Sequence, residues 1–295
     1  MIRMLNNQLA KLGFRIIRVS SLSPEILNSE IFEDAYQIAY VNKGNGVIVN
    51  VPINKGRALP IFDYSEASNH PYVLAARRAL LKGTERELLI REVLKTFFDL
   101  FNPKNPNEIL GLQSDRTELK EFPYWSVLMP WDSEDPNEWI VKIEKSVRVE
   151  NKLNKRNLGI DSGWAWAGPA SSEKCEIETK RLLRVLNSIE LRGYLRNNRP
   201  DGDIAVNLLA RSNSEWVWQS IVGQHRAAVL SALGHQNIQV SVRNIVRRED
   251  VSSWPNVIRG IYSQNEALKV FDKIYHANYS YISSSWNTYA AGIKI

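Results

Sequence analysis

Residues 216–240 read WVWQSIVGQHRAAVLSALGHQNIQV. Trp216, Val217, Trp218, Ile221 and Val222 are the bulky and β-branched residues of a strand. Gly223 supplies a turn, and Ala227, Ala228, Val229, Leu230, Ala232 and Leu233 predict a helix from about Gln224. Gly234 closes it as a C-cap glycine does, and Ile238 and Val240 open another strand. A strand, a glycine turn and a helix N-terminus bearing His225 and Arg226 make an anion site. Backbone N–H groups point outward there, the helix dipole favours negative charge, and a guanidinium grips phosphate oxygens in pairs. Four residues alone also fit a surface helix with His225 and Arg226 merely solvated, because a Gly-x-His-Arg match is short.

Outward from this stretch, Glu176 to Arg192 predicts the clearest helix. Ile177, Leu182, Val185, Leu186 and Ile189 mark its apolar stripe, Lys180, Arg181, Arg184 and Glu190 its solvated side, and Gly193-Tyr194 follow its end. Glu178 lies off the stripe near the helix start, where the dipole alone favours a carboxylate. Asp201-Gly202-Asp203-Ile204-Ala205-Val206 leads into a further strand.

That order (a helix ending in glycine, a strand, a Gly-x-His-Arg turn, a strand) resembles the ParB/sulfiredoxin-like superfamily over roughly residues 173–275. The resemblance implies an α+β fold, with a mixed sheet and helices over 160–295 preceded by a smaller α+β region over 1–150. In that superfamily the turn grips nucleotide phosphates. It therefore implies ATP or another nucleotide at Gly223, Gln224, His225 and Arg226, with Arg247 or Arg248 of the RNIVRRED run completing the site. In the serine-kinase branch a glutamate of the preceding helix serves as general base, and Glu178 matches it by order and spacing, with Glu173 and Glu176 as alternatives. The departures matter. Gln224 stands where sulfiredoxins carry cysteine, so sulfinic-acid reduction is not expected. Val222 stands where the serine kinases carry aspartate, which leaves Asp201 and Asp203 as the nearest ligands for a phosphate-bound Mg²⁺. No helix-turn-helix is recognisable after Tyr275, so sequence-specific DNA binding is not expected.

The implied function is an ATP-type kinase acting on a hydroxyl, with His225 and Arg226 stabilising the charge of the transferring group. A nucleotide-binding switch for ATP or CTP and a nuclease remain open as alternatives.

The chain has 295 residues, of which 44% are hydrophobic and 24% charged, ordinary globular values. Its net charge of +6 is uneven: residues 1–150 carry −1 and residues 151–295 carry +7. The basic half is the half with the phosphate turn, although a basic surface alone does not choose between nucleic acid, acidic lipid and phosphorylated ligands. One cysteine, Cys175, excludes an internal disulfide framework, and four scattered histidines form no metal motif. No apolar run approaches the roughly 18 residues of a membrane span, so a cytoplasmic protein is expected.

Met1 to Val19 (MIRMLNNQLAKLGFRIIRV) places Ile2, Leu5, Leu9 and Leu12 at helical spacing among basic residues. Such a start packs on its own domain or lies peripherally on the inner membrane face. It also resembles the "LxKLGFxI" beginnings of enzymes from bacterial surface-glycan loci, which implies polysaccharide biosynthesis and a sugar or polyol acceptor. Ala39–Val41 and Val47–Val51 read as a hairpin. Residues 70–81 and 85–101 read as helices, the second with Leu88, Leu89, Val93, Phe97 and Leu100 on one core face. Residues 122–139 (FPYWSVLMPWDSEDPNEW) join tryptophans to carboxylates, which suits either ring stacking with hydroxyl recognition or a buried aromatic plug. Asn151–Asn157 reads as an exposed linker, Gly163–Pro169 as the lip of a ligand site or a packed connector, and 265–275 as a helix.

Overall fold

The computed structural model describes residues 25–26, 32–41, 46–59, 61–81, 85–112, 117–153, 156–196, 203–278 and 283–293. The basic first helix, the turn at 43–45 and Asp201 lie outside the described residues.

In chain order the elements are β1 (Glu25–Ile26), α1 (Gln37–Val41), β2 (Val47–Pro52), β3 (Gly56–Arg57), α2 (Pro71–Leu81), α3 (Arg86–Leu100), α4 (Pro106–Leu110) and α5 (Thr117–Lys120). There follow α6 (Pro136–Leu153), β4 (Gly163–Trp164), β5 (Ala167–Ala170), α7 (Ser172–Arg192), β6 (Ala205–Ala210), β7 (Trp216–Val222) and α8 (Gln224–Ala232). Last come β8 (Asn237–Arg247), α9 (Pro255–Ile258), α10 (Gln264–Tyr275) and α11 (Ser284–Gly292).

Among the described residues one mixed sheet runs β1-β2-β8-β6-β7-β3, and β4 with β5 forms a small hairpin. β2 pairs antiparallel with β8, β8 parallel with β6, β6 antiparallel with β7, and β7 parallel with β3. All six residues of β6 are buried, as a central strand covered on both faces requires, and its AVNLLA run is nearly all apolar for that reason. The mixed α+β class expected from sequence is what the chain adopts.

β2 and β3 precede the expected boundary near residue 150, and β6 to β8 follow it, yet all belong to one sheet. A single cluster of buried side chains runs from Phe32 to Ala290. The two regions therefore share one core. Trp218 explains part of this joining. Its ring stacks on Tyr64 at 5.3 Å, and its Nε1 donates to the Pro52 carbonyl at 2.8 Å. Gly56 passes so close beneath that ring that a Cβ there would sit 2.2 Å from Trp218 Cζ2.

The local reading held at β7, α8 and the left-handed Gly234 (φ 79°). Four local expectations are corrected. Ala39–Val41 belongs to α1, whose turn starts where Asp34 Oδ1 accepts the Tyr36 N–H. Tyr40 and Val41 favour strands, yet they suit one helical turn when only Ile38 has a core to meet. Leu88 is half exposed, because α3 buries Leu89, Ile90, Val93, Leu94, Phe97 and Phe98 instead. Asn151 lies in α6 and is fully buried rather than in an exposed linker. α7 starts at Ser172, where the Ser171 side chain accepts from the Lys174 N–H, so Lys174 and Cys175 are helical.

Candidate functional site

α7 delivers Lys174 and Glu178 one turn apart, so the two side chains meet on one face. That face is turned inward: Lys174 and Glu178 are both completely buried. Lys174 Nζ donates to Glu178 Oε1 at 2.6 Å and to Asn151 Oδ1 at 3.1 Å. Glu178 Oε2 lies 2.9 Å from His225 Nε2, in the first turn of α8. The Tyr72 hydroxyl, from α2, donates to the Ala165 carbonyl at 2.7 Å and stands 3.5 Å from the same Glu178 oxygen. Tyr72 meets the His225 ring edge-on at 4.6 Å, and Trp166 tilts against it at 5.4 Å. Three elements, α2, α7 and α8, thus converge on one carboxylate, and α6 supports it through Lys174.

Burial by itself would raise the Glu178 carboxyl, but the Lys174 ammonium and then the His225 hydrogen bond hold it well below the usual carboxylate range. Burial, with Arg181 adding to it, holds His225 below the usual imidazole range despite Glu178. The pair at neutral pH is thus a carboxylate facing a neutral imidazole. A neutral ring whose Nε2 faces a carboxylate carries its proton there and its lone pair on Nδ1.

Beside this network lies a cleft of about 1080 Å³. Gly223, Gln224, His225 and Arg226 line it together with Arg181 and Lys174. Gly223 is left-handed (φ 84°) and brings no side-chain cap to α8, and a Cβ there would sit 3.0 Å from Ile204 Cα. Glycine at this position lets the chain turn against β6 and leaves the first amides of α8 without a side-chain acceptor. Gln224 is 5% exposed, and its Oε1 is buried without a hydrogen-bond partner. Such an atom costs free energy until a ligand or water meets it.

The Phe122–Trp139 segment divides between its two expected readings. Trp125 is buried as a plug. Trp131, Asp132, Ser133, Glu134 and Trp139 line the cleft, with Trp131 edge-on to Trp254 at 5.3 Å. Trp164, Ala165 and Trp166 form part of the lip.

The remaining expected site residues scatter. Arg247 lines the cleft but is engaged by Asp250 at 2.9 Å. Arg248 does not line it; its guanidinium grips Asp272 through two bonds, at 2.9 and 2.7 Å, because Arg247 and Arg248 straddle the end of β8. Asp203 is buried against Arg196 at 3.5 Å and is not on the cleft wall. Glu173 is exposed, and Glu176 pairs with Lys180 at 2.5 Å. Among the described residues no group of three or more His, Cys, Asp or Glu side chains is placed to hold a metal, and no helix is long and apolar enough to cross a membrane. Sequence reasoning missed Lys174, Asn151 and Tyr72. The i,i+4 spacing of Lys174 and Glu178 was a visible signal, whereas nothing in the sequence joins Asn151 or Tyr72 to them.

No family model, curated protein or solved structure matches the chain.

Proposed function

We propose that the cleft binds a nucleotide through its phosphates at the Gly223–Arg226 turn, and that the protein is a phosphotransferase acting on a hydroxyl. One observation carries this reading: Glu178 of α7 meets His225 in the first turn of α8, where the helix start opens on a cleft large enough for a nucleotide and an acceptor. Arg226 and the first amides of α8 hold the phosphates. The acceptor oxygen attacks the terminal phosphorus, the bond to the bridging oxygen breaks, and the nucleoside diphosphate leaves. His225 accepts the hydroxyl proton, and Glu178 behind it stabilises the imidazolium. Glu178 is thus a positioning residue, because Lys174, His225 and Tyr72 seal it from the cleft. Mg²⁺ commonly accompanies such phosphates. Asp203, the expected ligand that falls among the described residues, is held by Arg196 and does not line the cleft, so it does not fit a metal on phosphates bound there.

Titration calorimetry with ATP, ADP and CTP in the presence of Mg²⁺ tests the reading on wild type and Arg226→Ala. Micromolar binding that the substitution abolishes supports it; no binding of any nucleotide ends it. The sealed state of Glu178 favours one second reading, a nucleotide-binding switch without transfer. Under that reading nucleotide binding persists while no acceptor is phosphorylated in wild type or His225→Gln.

A further inference from the structure

Behind the phosphate turn the sheet does something unusual for a buried surface. Asn207 on β6 stands in register with Gln219 on β7 and with Asn244 on β8. Side chains at paired positions share a face of the sheet, and all three line the cleft. They form a row of carboxamides across three adjacent strands. Asn244 Nδ2 lies 3.5 Å from Asn207 Oδ1. Gln219 is only 1% exposed, and its Nε2 is buried without a partner. From the segment entering α6 and from its first turn, Trp131 and Trp139 also line the cleft, and the Nε1 of each is likewise buried without a partner.

A buried amide left unsatisfied costs more than an apolar side chain of the same shape, so packing does not account for this row. Carboxamides are neutral and offer donors and acceptors side by side. They suit an uncharged partner that offers both in return, whereas a phosphate is met by cations. Cations line the same cleft elsewhere, at Arg181, Arg226 and Arg247. Indole faces stack on flat or CH-rich rings. By register, the row lies partway between the Gly223 turn, beside the Ala205–Val222 pair, and Arg247, paired with Ala210. At ~3.3 Å per strand residue those ends are about 16 Å apart.

We propose that Asn207, Gln219 and Asn244, with Trp131 and Trp139, form a subsite for a neutral ring whose edge carries adjacent hydrogen-bond donors and acceptors. Two sources have that chemistry: the base of the bound nucleotide, and a sugar acceptor. The subsite adjoins the phosphate reading and rests on it only for the identity of the complete ligand.

Calorimetry on the full chain with inorganic triphosphate, ATP, adenosine and glucose separates the cases, comparing wild type with Gln219→Met, which keeps the length and removes the amide. Adenosine or glucose is expected to bind wild type and to weaken at least about tenfold in the variant, a loss of the size one buried hydrogen-bonding group controls. Triphosphate is expected to change less than twofold. Loss on adenosine and ATP assigns the base; loss on glucose alone assigns the acceptor. Asn244→Leu, at the exposed end of the row, gives the same comparison if Gln219→Met does not fold. The proposal is overturned if neither neutral ring binds wild type and ATP binds no tighter than triphosphate. It is also overturned if the folded variants bind every neutral probe unchanged. If triphosphate fails to bind while adenosine or glucose binds, the phosphate reading falls and the subsite stands.

Discussion

Lys174 and Glu178 are two full charges with no access to water, and each is tolerable only because the other is there. Removing one partner strands the other, which typically costs about 3–5 kcal/mol. Lys174→Met should therefore lower the free energy of urea unfolding by that order. Lys174→Met combined with Glu178→Gln should recover most of the loss, since no unpaired charge remains. A double variant as unstable as the single one would show that packing, not charge, governs the site. His70 gives the pH dependence. Burial, with His225 adding to it, lowers its pKa from 6.5 to about 3, so the unfolded chain takes up that proton first as the pH drops. Its contribution to stability is fully present above about 6.5 and is lost progressively as the pH falls toward 3. His225 is shifted in the same direction. Asp132 opposes them: burial raises it from 3.8 to about 6, so its stabilisation is present at low pH and lost as the pH rises through 6. Urea midpoints should fall between pH 6.5 and 4, and His70→Gln should flatten that slope by up to one proton.

At the scale of an element, α8 is short and owes its place to both ends. Its C-terminal turn is closed by left-handed Gly234, and its N-terminus by left-handed Gly223 against β6. Gly223→Ala would force a Cβ into that conformation and toward Ile204, at about 1–2 kcal/mol. It should lower the thermal midpoint and weaken nucleotide binding together. A lowered midpoint with unchanged binding would separate the turn from the ligand. α10 shows the opposite design, with a complete capping box in which Ser263 and Glu266 satisfy each other's backbone donors. Ser263→Ala should cost about 1 kcal/mol by chemical denaturation, with ligand affinity unaltered, because neither residue lines the cleft.

At the scale of the whole molecule, the sheet is closed from both sides by early chain. β2 covers β8 and β3 covers β7, while α2 and α3 contribute Tyr72, Val73, Ile90, Val93 and Phe97 to the shared core. A fragment of residues 160–295 would expose Val240, Val242 and Trp218 along two bare strand edges. It should show no cooperative thermal transition, and a sharp transition in the isolated fragment would establish a separate domain.

Periodic and capped segments were legible in the sequence because their signals are local. The β-branched run of 216–222, the glycine at each end of α8 and the apolar stripe of 265–275 each lie within one element. The grouping of Gly223, Gln224, His225 and Arg226 followed from the same contiguity. Other features depended on what distant chain sets opposite. Glu178 looks solvated on a helical wheel, yet Lys174, His225 and Tyr72 enclose it. Arg247 and Arg248 are adjacent and alike, yet one lines the cleft and the other is held by Asp272. The amide row exists only through the register of β7, β6 and β8. Sequence by itself determined the strongly periodic and capped elements, since propensity and periodicity act over a few residues. Tertiary structure alone decided which charges are buried and which face one another, because desolvation and pairing depend on partners brought in from far along the chain.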